Sequence, residues 1–169
     1  MTFDEIPAGS RLFIDANTFI YHFTGQSAEC RRLLERCRAG NVRGATGTHV
    51  LSEVTHQLMR SEATHKRLIT PGGNVTRKLK ENPQIVSALE TYQQQVALIP
   101  AMGIEVLPVD VELILASASV RRRYGLLTMD SITVAMMERH GISALATLDH
   151  DFQRIEWLQV YAPELDSRT

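Results

Sequence analysis

Two short apolar runs, each ending in an acidic cluster, constrain this chain more than any other feature. Leu12-Phe13-Ile14 leads into Asp15-Ala16-Asn17-Thr18, and Ala144-Leu145-Ala146-Thr147-Leu148 leads into Asp149-His150-Asp151-Phe152. A run without polar alternation fits a strand buried on both faces, as in a parallel sheet covered by helices. In open sheets of that kind, sites form beyond the carboxyl ends of the strands. Carboxylates gathered at one such edge repel one another, which points to a bound cation.

The 169 residues, 44% hydrophobic and 22% charged, suit one globular domain with a sizeable core and exclude disordered and fibrous classes. The stretch Met1 to Arg11 carries Asp4 and Glu5 and lacks the basic start and apolar centre of a signal peptide. No apolar run approaches the roughly 20 residues needed to span a bilayer. A soluble, cytoplasmic protein with no membrane partner is therefore expected. Cys30 and Cys37 fall seven apart in one expected helix, about 10 Å along its axis, too far to bridge each other. They read as reduced thiols.

The rest of the chain alternates strands with helices. A helix is expected over 27–39, with Leu33, Leu34 and Cys37 inward and Ser27 as its cap. A strand follows at 42–46, then a helix capped by Thr48 and running to about Arg60, with Val50, Leu51, Val54 and Leu58 inward. Residues 61–100 read as a helical insertion of two or three short helices, the last spanning roughly 83–99, with a turn at Pro71-Gly72-Gly73-Asn74. Further on come a strand at 104–107, a helix from Asp110 to Tyr124 and a helix from Thr128 or Asp130 to His140. Val111, Ile114, Leu115 and Ala118 are the expected inward face of the first of these helices. Met129, Ile132, Ala135 and Met136 are that of the second. Strands at 144–147 and 158–161 complete the pattern. It predicts right-handed crossovers and a single α/β domain over 1–169, with four or five parallel strands covered by helices on both faces.

Four acids lie where such a sheet would concentrate them. Asp15 follows the first strand, Glu53 falls in the second turn of the helix after the second strand, Asp130 opens the helix before the fourth, and Asp149 follows the fourth. If the first and fourth strands are neighbours, all four can face one crevice. Each also has a purely structural explanation: a strand end for Asp15, a dipole-favoured helix start for Asp130, turn residues for Asp149 and Asp151, and a solvated helix flank for Glu53. His49, Glu53 and His56 stand on adjacent turns, but the His-Glu-x-x-His spacing of a zinc protease helix is absent.

In combination these segments resemble a known family. Phe13-Ile14-Asp15-Ala16-Asn17-Thr18-Phe19-Ile20-Tyr21, Ser52-Glu53-Val54, Asp130-Ser131-Ile132-Thr133-Val134-Ala135 and Ala146-Thr147-Leu148-Asp149-His150-Asp151-Phe152 look like the successive acidic motifs of PIN-domain ribonucleases, especially VapC-type toxins. The resemblance spans residues 11 to about 160 and departs from compact members in the longer 61–100 stretch. It implies a three-layer α/β/α PIN-like fold and a Mg2+- or Mn2+-dependent endoribonuclease. In that reading Asp15, Asp130 and Asp149 bind metal, and Glu53 binds it through water or orients the attacking water. Asn17 and Thr147 are supporting residues, and Asp151 is a fifth acid less well matched than Asp149. A small antitoxin and a homodimer are the partners such families imply, beside the RNA substrate.

An acidic crevice alone would repel RNA, so basic surface is needed near it. Residues 60–80 hold Arg60, Lys66, Arg67, Arg77, Lys78 and Lys80 against the single acid Glu62. Lys66, Arg67, Arg77 and Lys78 are the candidate RNA contacts, whose binding would weaken with salt. Arg121-Arg122-Arg123 also complements a helix C-terminus. Other readings are a stand-alone RNA-processing PIN nuclease, a non-catalytic PIN-like module that binds RNA or protein, and a haloacid-dehalogenase-like phosphatase. The phosphatase would need an acid two residues after Asp15, where Asn17 stands, and makes no use of Glu53.

Overall fold

The computed structural model describes residues 1–70 and 72–164. Five strands form one parallel sheet: β1 (Arg11–Ile14), β2 (Arg43–Gly47), β3 (Glu105–Leu107), β4 (Ala144–Ala146) and β5 (Gln159–Tyr161), in the order β3-β2-β1-β4-β5. Eight α-helices accompany them among the described residues: α1 (Ala16–Phe23), α2 (Ala28–Arg38), α3 (Thr48–His65), α4 (Val75–Glu81), α5 (Pro83–Ser87), α6 (Thr91–Ala101), α7 (Val111–Tyr124) and α8 (Thr128–His140). The expected strands are present in the expected order, the fifth of the four or five included, and α1 is an addition to the expected helices.

The central strands are short because they are buried on both faces. Leu12, Phe13, Ile14, Leu145 and Ala146 are wholly inaccessible to solvent. Fully burying one such side chain is worth roughly 1.5–3 kcal/mol, so three residues suffice for β4. β1 lies between β2 and β4, with Phe13 opposite Leu145 and Ile14 opposite Ala146. The chain winds one way from β1 to β2 and β3 and the other way to β4 and β5. The crevice where such a sheet binds ligands therefore opens at the ends of β1 and β4. Cys30 and Cys37 are buried free thiols, and burial pushes Cys37 up to about 11.

Four details depart from expectation. Helix α1 directly follows Asp15 and is additional to the expected elements. Helix α3 continues to His65, one turn beyond Arg60. Gly47, not Thr48, is its capping residue, and the Thr48 hydroxyl instead accepts the Val109 N–H at 3.1 Å. The segment expected as one helix over 83–99 is split into α5 and α6, because Leu89 packs into the core between them. In the 71–74 turn Pro71 lies outside the described residues, while Gly72 and Gly73 adopt positive φ.

The largest correction concerns α7. Its buried stripe is Leu113, Ser117 and Val120, whereas Val111 and Leu115 are 71% and 69% exposed and Ile114 also faces solvent. The small Ser117 lets α7 approach α8, and the Arg121 guanidinium donates to both Ser117 Oγ and Ser131 Oγ, at 2.9 and 3.1 Å. Polar fastening thus selects the packed face over the more apolar one. On α8, Ile132, Ala135 and Met136 are buried as expected, but Met129 is exposed.

One buried carboxylate organises the 61–100 region. Glu62 on α3 accepts the N–H groups of Glu90, Thr91 and Tyr92 at the start of α6, and the Lys66 ammonium at 2.6 Å. Burial alone would raise its carboxyl, but these donors outweigh it and hold Glu62 down at about 2. The stabilisation is therefore complete above the ordinary value near 4.5 and is lost as pH falls through about 2. Glu62→Gln is expected to cost roughly 1–3 kcal/mol in urea denaturation at pH 7. The difference from the native chain should shrink progressively below pH 4.5. An equal loss at pH 7 and at pH 3 would contradict this assignment.

Candidate functional site

The two acidic clusters meet because β1 and β4 are hydrogen-bonded neighbours. The Asp15 N–H donates to the Ala146 carbonyl at 3.0 Å, extending the ladder by one residue to the sheet edge. Asp15 occupies the N-cap position of α1, yet its side chain makes no capping bond. Its carboxylate instead accepts the Thr147 hydroxyl at 2.7 Å. Thr147 Oγ1 in turn accepts the Asp149 N–H at 3.0 Å, and Asp149 Oδ1 accepts the Asp151 N–H at 2.8 Å. The buried Thr147 is thus a clasp between the two clusters. Asn17 stands half-buried on the first turn of α1.

Helices supply the other two acids. Glu53 projects from the second turn of α3 and is exposed, whereas Asp130, third residue of α8, is half-buried. Both line a cleft of about 640 Å³, together with His49, His56, Leu127 and Met129. Burial raises the Asp130 carboxyl to about 6, reinforced by the charges of Asp149, Asp15, Asp151 and Glu53. Burial likewise raises Asp15 despite the Thr147 bond, with Asp149 adding to the effect. Glu53 is raised by burial and then by Asp15. Asp130 therefore lies within electrostatic reach of the other three predicted acids. Among the described residues, no three His, Cys, Asp or Glu side chains already stand close enough to share one ion.

Asp151 differs from Asp149 in having a cation of its own, the Arg154 guanidinium, with which it pairs across one turn of the 3-10 helix His150–Arg154. The basic residues of 60–80 are also partly engaged. Lys66 pairs with buried Glu62, Arg77 pairs with Glu81 at 2.8 Å, and the Lys78 ammonium donates to the carbonyls of Thr70 and Gly72. Arg67 is exposed and adopts a positive φ of 56° in the turn after α3.

Sequence reasoning weighed His49 only as a zinc ligand and missed what it does. Its Nε2 meets Thr133 Oγ1 at 2.8 Å, and its ring stacks on Phe13 at 6.5 Å. A Cβ on Gly47 would come within 2.3 Å of the imidazole, so glycine is required there. Burial lowers His49 to about 4, leaving a neutral ring near pH 7. The bond sits one turn below Glu53 on α3 and one turn past Asp130 on α8, fixing the spacing of these two helices. His56 shares the cleft lining, and its Nε2 lies 3.4 Å from Thr76 Oγ1 on α4. No residue spacing announces the His49–Thr133 pair, because its partners are 84 positions apart.

A sequence profile of the PIN domain matches residues 12–158. The chain belongs to the PIN-domain family. Its relatives include ribonuclease VapC2 of Methanocaldococcus jannaschii, 24% identical over 151 residues that cover 89% of this chain and 93% of the relative. The fold is shared with VapBC2 from Rickettsia felis, crystallised with a DNA fragment of its promoter, at a TM-score of 0.59 and 14% identity, covering 90% of this chain and 98% of that one. A toxin–antitoxin complex from Klebsiella pneumoniae gives 0.56 and 21%, covering 89% and 96%. Mycobacterium tuberculosis VapC20, a sarcin–ricin loop cleaving toxin, gives 0.55 and 16%, covering 86% and 95%. Membership of the PIN family sets aside the phosphatase reading. No helix among the described residues is long and apolar enough to cross a membrane.

Proposed function

We propose that this PIN domain is a Mg2+- or Mn2+-dependent endoribonuclease and the toxin of a toxin–antitoxin pair. The observation that carries the reading is the convergence of Asp15, Glu53, Asp130 and Asp149 at the β1/β4 edge, with Asp130 raised to about 6 by burial and by the other acids. The sequence relative named ribonuclease VapC2 supports the reaction, and structural neighbours that are toxin–antitoxin complexes support the pairing.

The donor set suits a hard divalent cation, since carboxylate oxygens are the ligands such ions prefer. Asp15, Asp130 and Asp149 would hold it. A bound Mg2+ or Mn2+ lowers the pKa of water and offsets charge developing on the scissile phosphate. The residues of the chain do the rest. Thr147 fixes which Asp15 oxygen is committed to a hydrogen bond and leaves the other available. Glu53, whose carboxyl is pushed up by burial and by the charge of Asp15, orients the attacking water. Asp151 is neutralised by Arg154 and stays outside the ligand set. Asn17 hydrogen-bonds a carboxylate or the phosphate. Of the four basic candidates, Arg67 and Lys78 hold no carboxylate among the described residues and supply a positive field that draws RNA, whereas Lys66 and Arg77 are offset by Glu62 and Glu81.

Two protein partners complete the proposal. A small antitoxin covers the acidic cleft with a basic side chain. The exposed apolar face of α7 formed by Val111, Ile114 and Leu115, at i, i+3 and i+4, is the contact of a homodimer, because apolar side chains grouped and exposed in this way mark interaction surfaces. Leu115→Glu is expected to convert a dimer to a monomer in sedimentation equilibrium; a native chain already monomeric at high concentration would contradict the dimer.

The activity itself is tested by incubating purified protein with structured and single-stranded RNAs in Mg2+, Mn2+ or EDTA. Cleavage is expected only with metal, falling to background for Asp15→Asn and by roughly 10–100-fold for Thr147→Val, which leaves the ligands in place but unoriented. Cleavage that persists in EDTA or in Asp15→Asn would overturn the mechanism.

A further inference from the structure

The solvent-facing stripe of α3 that carries Glu53 continues away from the acids. Gln57, Arg60 and Thr64 follow Glu53 at i+4, i+7 and i+11, so they share its face, and Arg60 lies two turns on, about 10 Å along the axis. Beyond His56 this stripe floors a second groove, of about 420 Å³, walled by Ile20 and Thr24 of α1 and Val75 of α4. The charge changes sign along the way. Among the described residues no carboxylate lines this groove, and the ionisable lining groups are Arg60 and His65.

Arg60 is left with unused capacity. One guanidinium nitrogen, Nη1, donates to Gln57 Oε1 at 2.8 Å. Its Nε is buried and has no acceptor among the described residues. A buried donor without a partner is uncommon in native proteins and calls for a ligand or an ordered water. Lys66 and Arg77 already hold carboxylates at 2.6 and 2.8 Å, so giving them to a phosphate would break existing pairs. Arg60 has no such pair to surrender among the described residues.

We propose that this groove is a phosphate subsite, in which the Arg60 guanidinium holds a backbone phosphate of the RNA about 10 Å along the strand from Glu53. The proposal rests on the ribonuclease reading above. A nucleic acid fits better than an acidic protein segment for two reasons. The groove is collinear with the acidic cleft along one helix face, so a single strand can run through both. Its lining also offers Gln26, Gln57, Ser61 and Thr64, neutral donors and acceptors suited to phosphate and ribose oxygens. Arg60 then acts in binding and not in the chemical step.

The test uses an Asp15→Asn background so that RNA is bound without being cut, with single-stranded RNA titrated by fluorescence anisotropy over a range of salt. Arg60→Gln is expected to weaken binding about tenfold and to reduce the slope of log affinity against log salt by about one. With Asp15 restored, the loss should fall on KM more than on kcat. Gln57→Glu provides a near-isosteric second variant, since a carboxylate beside Arg60 neutralises it in place; the same loss is expected. Unchanged affinity and salt slope in both variants would overturn the subsite, whether or not either variant weakens a protein partner. Loss of affinity in both, from a native chain that cuts no RNA, would support the subsite and overturn the nuclease reading instead.

Discussion

The pairing of β1 with β4 is the constraint on which the rest of the molecule depends. Two three- and four-residue strands, far apart in sequence, lie side by side in parallel, so their carboxyl ends emerge together. The ladder extends one residue further, through the Asp15 N–H to the Ala146 carbonyl, and places Asp15 against Thr147. A one-residue slip in this register would move Phe13 and Leu145 to opposite faces of the sheet, away from the neighbours that bury each of them completely. The same apolar burial that stabilises the sheet therefore fixes where the acids stand.

That placement opposes stability. Asp130 is raised to about 6 by burial and by the neighbouring acids, so between its ordinary value near 3.8 and about 6 the folded state binds more protons than the unfolded chain. Stability contributed at this position consequently falls as pH rises through that window. The fold tolerates the repulsion because ties outside the cluster hold the carriers in place: Thr147 between the strands, and His49 with Thr133 between α3 and α8. A divalent cation would relieve the same repulsion, which is why the acids read as a ligand set and not as a solvated rim. Along α3 the lining passes from acid to base, and in the proposed reading Arg60 adds a hold on the strand to the acids that act on its phosphate.

Much of this was legible in the chain because the informative signals are local. Uninterrupted apolar runs mark β1 and β4, and Asp15 and Asp149 follow them directly. The positions of Glu53 and Asp130 come from helical spacing and the parallel sheet from the alternation of strands with helices, whereas the adjacency of β1 and β4 stood as a condition that the sheet order meets. What escaped depends on contacts between distant segments. The apolar face of α7 pointed inward by hydrophobicity, but Arg121 bonding Ser117 and Ser131 turns Leu113 and Val120 inward instead. Glu62, a lone acid in a basic stretch, gave no sign that it would anchor the start of α6 from 28 to 30 residues away. His49 carried no spacing signal at all. Arg60 stood in the basic 60–80 stretch but outside the four candidate RNA contacts, because the groove that singles it out is built by α1, α3 and α4 together.

The central claim is that these four acids form one cation site held by β1, β4, α3 and α8. Calorimetric titration of the purified chain with Mn2+ tests it most directly, run beside Asp15→Asn, Asp130→Asn and Asp151→Asn. Saturable Mn2+ binding that is lost in the first two variants and retained in Asp151→Asn is the predicted result. Binding of equal strength in the native chain and in Asp15→Asn or Asp130→Asn would contradict it.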